Sequence, residues 1–584
     1  MKNLFYVLST RARLVAGLAL GLLGTGAAAQ AQTSPAYDWS WATQLGPSAG
    51  SNRTAFVHGL AADAAGNVTI GGEFDPDLYF ANSSTGLQTN RQPDTFGYTG
   101  TNGFLAQYQP NGQLAWTLNL PSNGAQVADV ATDATGNIYA LGYRSRSLNF
   151  GSGVVLATPT LARAFLVKLS AAGVPQWAID VANAPNGVKE SYFIWQLAAD
   201  AAGNCVVQGT YSGSLTIAGQ TYTAPAGSYT NQPFLVRVSA AGAVTGSWGG
   251  QQTQGDNVNR SYTGLALAPT GEVYLAGAVS GAVLQFGSLP PVTSPATATR
   301  PAGFLLKISA ANAAEWVLVG NAATATTYNS FNDVKVSASG HIYALGAAVG
   351  PFTLGTQVVP NTNNGTSFVA RIAPNGTIRR SATGTSSPQN LALGPHEDLY
   401  IGTYNGPVSW GSVQLAAPAS PNDQLVSVVR LDSTGQALQG WRATGPAIIR
   451  EPRLAVDGLG QASVAAWLYG TGTFSFGSKP ATAANPWGMF VARTGMQVLA
   501  GRSAQPVAGL TLYPNPARQS ATIGLALAAP ASAQVLDALG RLASTQALPA
   551  GGQLDLRGLA PGPYVVRVQQ GEAVSYRHLA VLPQ

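Results

Sequence analysis

The chain has 584 residues, too many for one ordinary compact core, so either several domains or a repeat array is expected. Charged residues make up only 9 %, and the formal net charge of +6 sits at the two ends: residues 1–31 carry three cations, residues 502–584 a net +3, and residues 32–501 are neutral. That distribution excludes a nucleic-acid-binding face on the body of the chain, and 46 % hydrophobic residues with 69 glycines exclude a disordered chain and favour an all-β one.

Lys2, Arg11 and Arg13 precede an apolar run, Leu14 to Leu23, and then the small-residue stretch GAAAQA. This is the layout of a secretory signal peptide, with cleavage expected after Ala31. The run is too short to span a bilayer, and no other segment reaches transmembrane length, so no transmembrane span is expected.

The octapeptide LAADAAGN occurs at 60–67 and again at 197–204. Weaker copies begin at Val130, Leu265, Val334, Leu391 and Leu454, giving seven units spaced by 57 to 70 residues. Each copy reads as a hairpin: an alternating strand, a short turn, and a second strand such as NIYALG. Gly66, Gly136, Gly203, Gly271, Gly340 and Gly460 occupy the left-handed turn position, and Glu397 departs from it. Asp63, Asp133, Asp200 and Asp457 are expected to accept backbone hydrogen bonds inside the turn. Two further strands recur in order, one like AFLVKLS (164) and one carrying Trp41, Trp116, Trp177, Trp248, Trp316 or Trp441, with Ile378 in the remaining unit. Short F-G-S stretches punctuate several connections. The Trp, together with Tyr139, Tyr274 and Tyr343, is expected to pack between units, and Cys205, in a Val/Ile position, to be a buried thiol.

Four antiparallel strands repeated seven times predict a seven-bladed β-propeller over residues 37–497. The chain enters at a Trp strand (39–46) and leaves after a MFVAR strand (489–493), so the last blade is expected to take its final strand from the start of the body. The repeat, with its FVARIAPNG, W, LAxDAxGNxYxxG and F-G-S elements, resembles the SBBP-type bacterial β-propeller repeat, a resemblance that speaks to fold and not to activity.

After a linker (498–509) the periodicity stops. Residues 510–584 alternate apolar residues with turn punctuation, which predicts a small Ig-like β-sandwich. Tyr513-Pro514-Asn515-Pro516, Asp537 with Gly540 and Arg541, and Leu559 with Gly562 and Tyr564 make this tail resemble the type A C-terminal sorting domain of the type IX secretion system. The resemblance implies the type IX machinery as partner. It also implies a route through the periplasm to the cell surface or the exterior.

Chemistry is sparse, and no catalytic residue is expected. GPSAG (46–50) has the spacing of a nucleophile elbow but falls in a loop rather than between strand and helix. His58, His341, His396 and His578 lack metal-ligand spacing, so no zinc or copper centre and no organic cofactor is expected. Residues that break the repeat are better candidates. Glu73, Asp75 and Asp77 in one unit and Arg144 and Arg146 in the next stand on neighbouring connections. The acidic trio suits a hard cation such as calcium, and the arginine pair suits an acidic glycan; a plain solvated rim with loose ion pairs is the bland alternative. The expected function is a non-enzymatic binding or adhesion module, with a glycan-active propeller enzyme or a structural surface-layer component as alternatives.

Overall fold

The computed structural model describes residues 37–582 apart from 48–53, 76, 81–85, 89–100, 122–123, 160–162, 183–191, 225–231, 251–258, 281–282, 285, 294–301, 323–327, 351, 355–356, 360–365, 405, 418–424, 446–447, 484–486, 497–510, 525–530, 538–541, 550 and 571–572. The signal peptide, the linker, Gly540 and Arg541 lie outside the described residues. What is described is all-β, with no helix among the described residues.

Seven four-stranded antiparallel units recur along the described body. Their first strands are Ala55–Ala62 (sheet I), Gln126–Thr132 (II), Tyr192–Ala199 (III), Asn259–Leu267 (IV), Tyr328–Val336 (V), Pro388–Leu393 (VI) and Ile448–Val456 (VII). Sheets I to VI take their four strands in sequence. Sheet VII takes Ile448–Val456, Ala462–Tyr469 and Trp487–Met496 and is completed by Tyr37–Gly46, which pairs antiparallel with Trp487–Met496 from Tyr37↔Met496 to Leu45↔Met489. Each first strand packs against the first strand of the next sheet, and that of sheet VII packs against that of sheet I.

The turns explain why the octapeptide is repeated. In sheet I, Asp63 accepts hydrogen bonds from Asn67 N (2.8 Å) and Asn67 Nδ2 (2.7 Å), and Gly66 stands at φ +88°. Asp133, Asp200 and Asp457 accept backbone N–H groups in the same way. The side chain thus satisfies donors that a tight turn would otherwise leave unpaired.

Glu397, the residue that departs from glycine, adopts φ +60° and turns its carboxylate onto the neighbouring turn of sheet V, where Ser337 stands in place of aspartate. Tyr343 Oη (2.7 Å), His341 Nδ1 (2.8 Å) and Ser339 Oγ all meet it. Burial opposes the charge, but these hydrogen bonds outweigh it and hold the carboxyl at about 2. Ser339, His341 and Glu397 do not form a catalytic triad. Serine and carboxylate meet the same nitrogen, Nδ1, while Nε2 faces Arg371 at 2.7 Å, so no nitrogen is left to deprotonate the serine.

The tryptophans pack between sheets. Trp41, on the strand that completes sheet VII, donates to Pro110 O of sheet I at 3.0 Å, and a Cβ at Gly112 would come within 2.8 Å of its ring. Trp116 meets Gly173 of sheet II, Trp177 meets Gly242 of sheet III and Trp316 meets Gly376 of sheet V in the same manner. Tyr139 and Tyr274 sit 6.2 and 6.0 Å from the rings of Trp177 and Trp316. Cys205 is buried, and burial pushes its thiol up, so it stays protonated.

The connections after the second strands form short hairpins, among them the F-G-S stretches, and three of these connections strap one sheet to its predecessor. Asp77–Phe80, from sheet I, pairs with Leu45 and Gly46 of sheet VII. Phe352–Leu354 of sheet V pairs with the fourth strand of sheet IV, and Gly472–Phe476 of sheet VII with that of sheet VI.

Residues 511–581 form two antiparallel sheets over their own apolar core, which includes Ile523, Val535, Leu554, Val566 and Val568. Asn515 pins the Tyr-Pro-Asn-Pro segment to the last strand, donating to His578 O (2.7 Å) and accepting from Ala580 N (2.9 Å). Tyr564 Oη donates to Ala560 O, while the Tyr513 ring is 55 % exposed.

Candidate functional site

All seven first strands carry a register irregularity at the same place, immediately before Gly59, Asp129, Gln196, Gly264, Asp333, Asn390 and Arg453. An extra residue on one strand re-aims the side chains beside it. The first strands together line a cavity of about 330 Å³, to which every one of the seven sheets contributes.

The residue before each octapeptide copy varies among Gly, Asp, Gln, Asn and Arg, whereas the next is always Leu or Val. Leucine and valine belong to the apolar clusters of the sheets and also line the cavity, where Asp129, Gln196, Asp333, Asn390 and Arg453 of the variable column join them. Its glycines have a packing role: a Cβ at Gly59 would fall 2.6 Å from Val130 N, and one at Gly264 2.7 Å from Val334 N. Its aspartates tie sheets together. Asp129 accepts Val130 N and, from sheet III, Leu197 N, both at 2.8 Å. Asp333 repeats this with Val334 N and, from sheet VI, Leu391 N, again at 2.8 Å. Arg453 Nε of sheet VII donates to His58 O of sheet I at 2.6 Å.

Lys335 is the clearest departure from the repeat. The equivalent positions are Ala61, Ala131, Ala198, Ala266, Ala392 and Ala455. Its Nζ lies 2.7 Å from Asp333 Oδ1, and its side chain lines the cavity. Trp195, on the rim, is 49 % exposed and stacks on Phe193 with centroids 5.8 Å apart. Arg453 and Lys335, from sheets VII and V, both act electrostatically on Asp129 of sheet II, so three sheets aim charge into one space.

Burial pushes the Asp129 carboxyl up to about 6, although the N–H groups of Leu197 and Val130 and the charges of Arg453 and Lys335 pull the other way. The folded chain therefore holds this proton more tightly than the unfolded one, so the group adds stability as pH falls through about 6 and stops adding it near the ordinary 3.8. Between pH 7.5 and pH 5 the parent protein should gain on the order of 1 kcal/mol relative to Asp129→Asn. Denaturant melts of both proteins at the two pH values measure this, and parallel responses would refute it.

The five charged candidates lie elsewhere and do not converge. Glu73 turns inward: Thr101 Oγ1 donates to it at 2.6 Å and His58 Nε2 lies 3.4 Å away. Burial opposes its charge, and the His58 and Thr101 hydrogen bonds overcome it and keep the carboxyl below the usual range. Asp75 is buried with its N–H on Thr54 O, and Asp77 hydrogen-bonds Tyr79. Among the described residues no three carboxylates, histidines or cysteines gather in a metal-holding group. Arg144 is 2 % exposed, with Asp180 bridging its Nε and Nη2 at 2.8–3.0 Å and Arg146 O and Ala157 O on Nη1. That is a buried ion pair holding sheet II together rather than a loose one on a rim. Arg146 is partly buried beside it.

The architecture and the tail together define an exported all-β protein. Residues 511–581 match the secretion system C-terminal sorting domain. That domain marks the chain for the type IX machinery and for the cell surface or the extracellular space, and no described helix is long and apolar enough to cross a membrane. No curated protein matches the chain.

Solved structures similar to it include a protein of unknown function from Bacteroides caccae (12 % identity, 58 % of this chain and 89 % of that one, TM-score 0.30). Another is a protein of unknown function from Dyadobacter fermentans (11 %, 63 % and 93 %, TM-score 0.33). A third is the extracellular domain of a one-component system from B. thetaiotaomicron (11 %, 92 % and 99 %, TM-score 0.17).

Proposed function

We propose that the seven sheets close into a seven-bladed β-propeller of the SBBP repeat type, displayed outside the cell as a non-enzymatic binding or adhesion module. Closure is supported by the pairing of Tyr37–Gly46 with Trp487–Met496, by the packing of first strands from sheet I round to sheet VII and back, and by the Asp77–Phe80 strap. The observation that carries the functional reading is the cavity on the axis, which lies where the repeat relaxes its demands and which gathers charge in a charge-poor body.

Binding rather than turnover is favoured because the two cavity aspartates already hold two backbone N–H groups each, which commits both oxygens to structure. The secreted full-length chain should retain a restricted set of polysaccharides on a glycan array and leave them uncut. Release of reducing ends would replace this reading with an enzymatic one, and retention no greater than that of a Trp195→Ala/Lys335→Ala double variant would remove the cavity from it.

A further inference from the structure

Two cations stand in the cavity without being required by the repeat. Six of seven sheets have alanine where sheet V has Lys335, and no other sheet has a cation where sheet VII has Arg453. Burying charge in a narrow space costs free energy unless a partner compensates it. Asp333 compensates Lys335 at 2.7 Å. Among the described residues Arg453 has its Nε on a carbonyl, a loose 3.9 Å approach of Nη2 to Glu451 and a longer-range attraction to Asp129, a pattern that leaves its Nη groups able to meet a planar acceptor. The side chains of Lys335 and Arg453 are 36 % and 33 % exposed, so both remain reachable.

Trp195, from sheet III, also lines the cavity; it is half-exposed, with its ring stacked on Phe193 and its Nε1 anchored on Thr210 Oγ1 at 3.1 Å. Flat apolar ring faces stack on the C–H face of pyranose sugars, while a guanidinium recognises a carboxylate in a fork. At about 330 Å³ the space falls at the small end of the roughly 300–1,000 Å³ range of small-molecule sites, so it takes one or two sugar rings rather than a polymer strand. The aspartates are engaged within the protein, Asp129 by two backbone N–H groups and Asp333 by two backbone N–H groups and the Lys335 ammonium.

We infer that the axial cavity binds an acidic saccharide, its carboxylate held by Arg453 and Lys335 and one sugar ring stacked on Trp195. This rests on the binding-module reading and names its ligand class and its place. The anion-binding role expected of Arg144 and Arg146 thereby moves to the axis, where the guanidinium is not locked into an internal pair.

The test is calorimetric titration of the secreted full-length chain with digalacturonate and with the neutral disaccharide of the same linkage. Digalacturonate should bind at least tenfold more tightly than the neutral disaccharide. Lys335→Ala, which installs the residue of six other sheets, should remove most of that preference, with an unchanged melting transition as its control. Arg453→Gln should do the same, with an unchanged melting transition as the control, and Trp195→Ala should weaken both ligands alike. Equal affinity for the two disaccharides, or a preference that survives Lys335→Ala, overturns the inference. If the chain still attaches to a glycan surface in that event, the binding module stands and its site lies elsewhere; if it attaches to none, the module reading falls as well.

Discussion

Deleting residues 37–46 should lower the melting temperature sharply and make the protein aggregate. The deletion removes the whole fourth strand of sheet VII, paired along its length with Trp487–Met496. It also removes Trp41, 8 % exposed and lodged against Gly112 of sheet I, and Trp39, 2 % exposed and 5.0 Å from the Phe476 ring. Loss of one buried tryptophan costs about 3–5 kcal/mol, a large share of the ~5–15 kcal/mol that holds a typical protein folded. The exposed edge of Trp487–Met496 becomes a template for pairing with other chains. In an open array the same deletion would fray one end and leave the other sheets melting as before. Calorimetry and light scattering of the truncated chain separate the two, and an unchanged transition would remove the closed ring.

Deleting residues 510–584 should abolish appearance at the cell surface while leaving the body folded in the periplasm. The two tail sheets have their own core, and the seven body sheets draw none of their strands from them. Fractionation of a type IX-competent host, with protease shaving of intact cells, measures the outcome. Truncated protein at the surface would mean that export depends on some other part of the chain.

Much of the architecture was legible because turn chemistry is unforgiving. An Asp that collects several donors in four units and a Gly at positive φ in six leave a fixed trace, and with the strands around them they revealed seven units. The Trp strands were legible for a similar reason, since four of the rings, Trp41, Trp116, Trp177 and Trp316, meet a turn glycine of the next sheet. The strand that completes sheet VII followed from the phase of the repeat.

The cavity was harder to see. Its signal was present in the variable residue before each octapeptide and in the single lysine of an alanine column, but which face of the strand those positions take depends on the register irregularity, which has no residue signature of its own. Arg144 was misplaced to a rim because its partner, Asp180, lies on a different strand 36 residues away, and pairing of that kind leaves no periodicity. Glu397 looked like a flaw in the turn pattern; in space it supplies the carboxylate that the turn of sheet V lacks.

The way sheet VII is completed bears on the order in which the chain can fold. Ser40 and the strand residue it bonds, Arg493, are 453 positions apart, so the first strand to emerge waits for nearly the last. At a synthesis rate of about 5–20 residues per second, that interval is on the order of 20–90 s. Six sheets can form from contiguous sequence in the meantime, while Tyr37–Gly46 has only the short Asp77–Phe80 strap and the Trp41 contact with sheet I to hold it, and lacks its full-length partner Trp487–Met496. What waits for the end of the chain is sheet VII, where Trp487–Met496 pairs with Tyr37–Gly46 and so joins the two ends of the body.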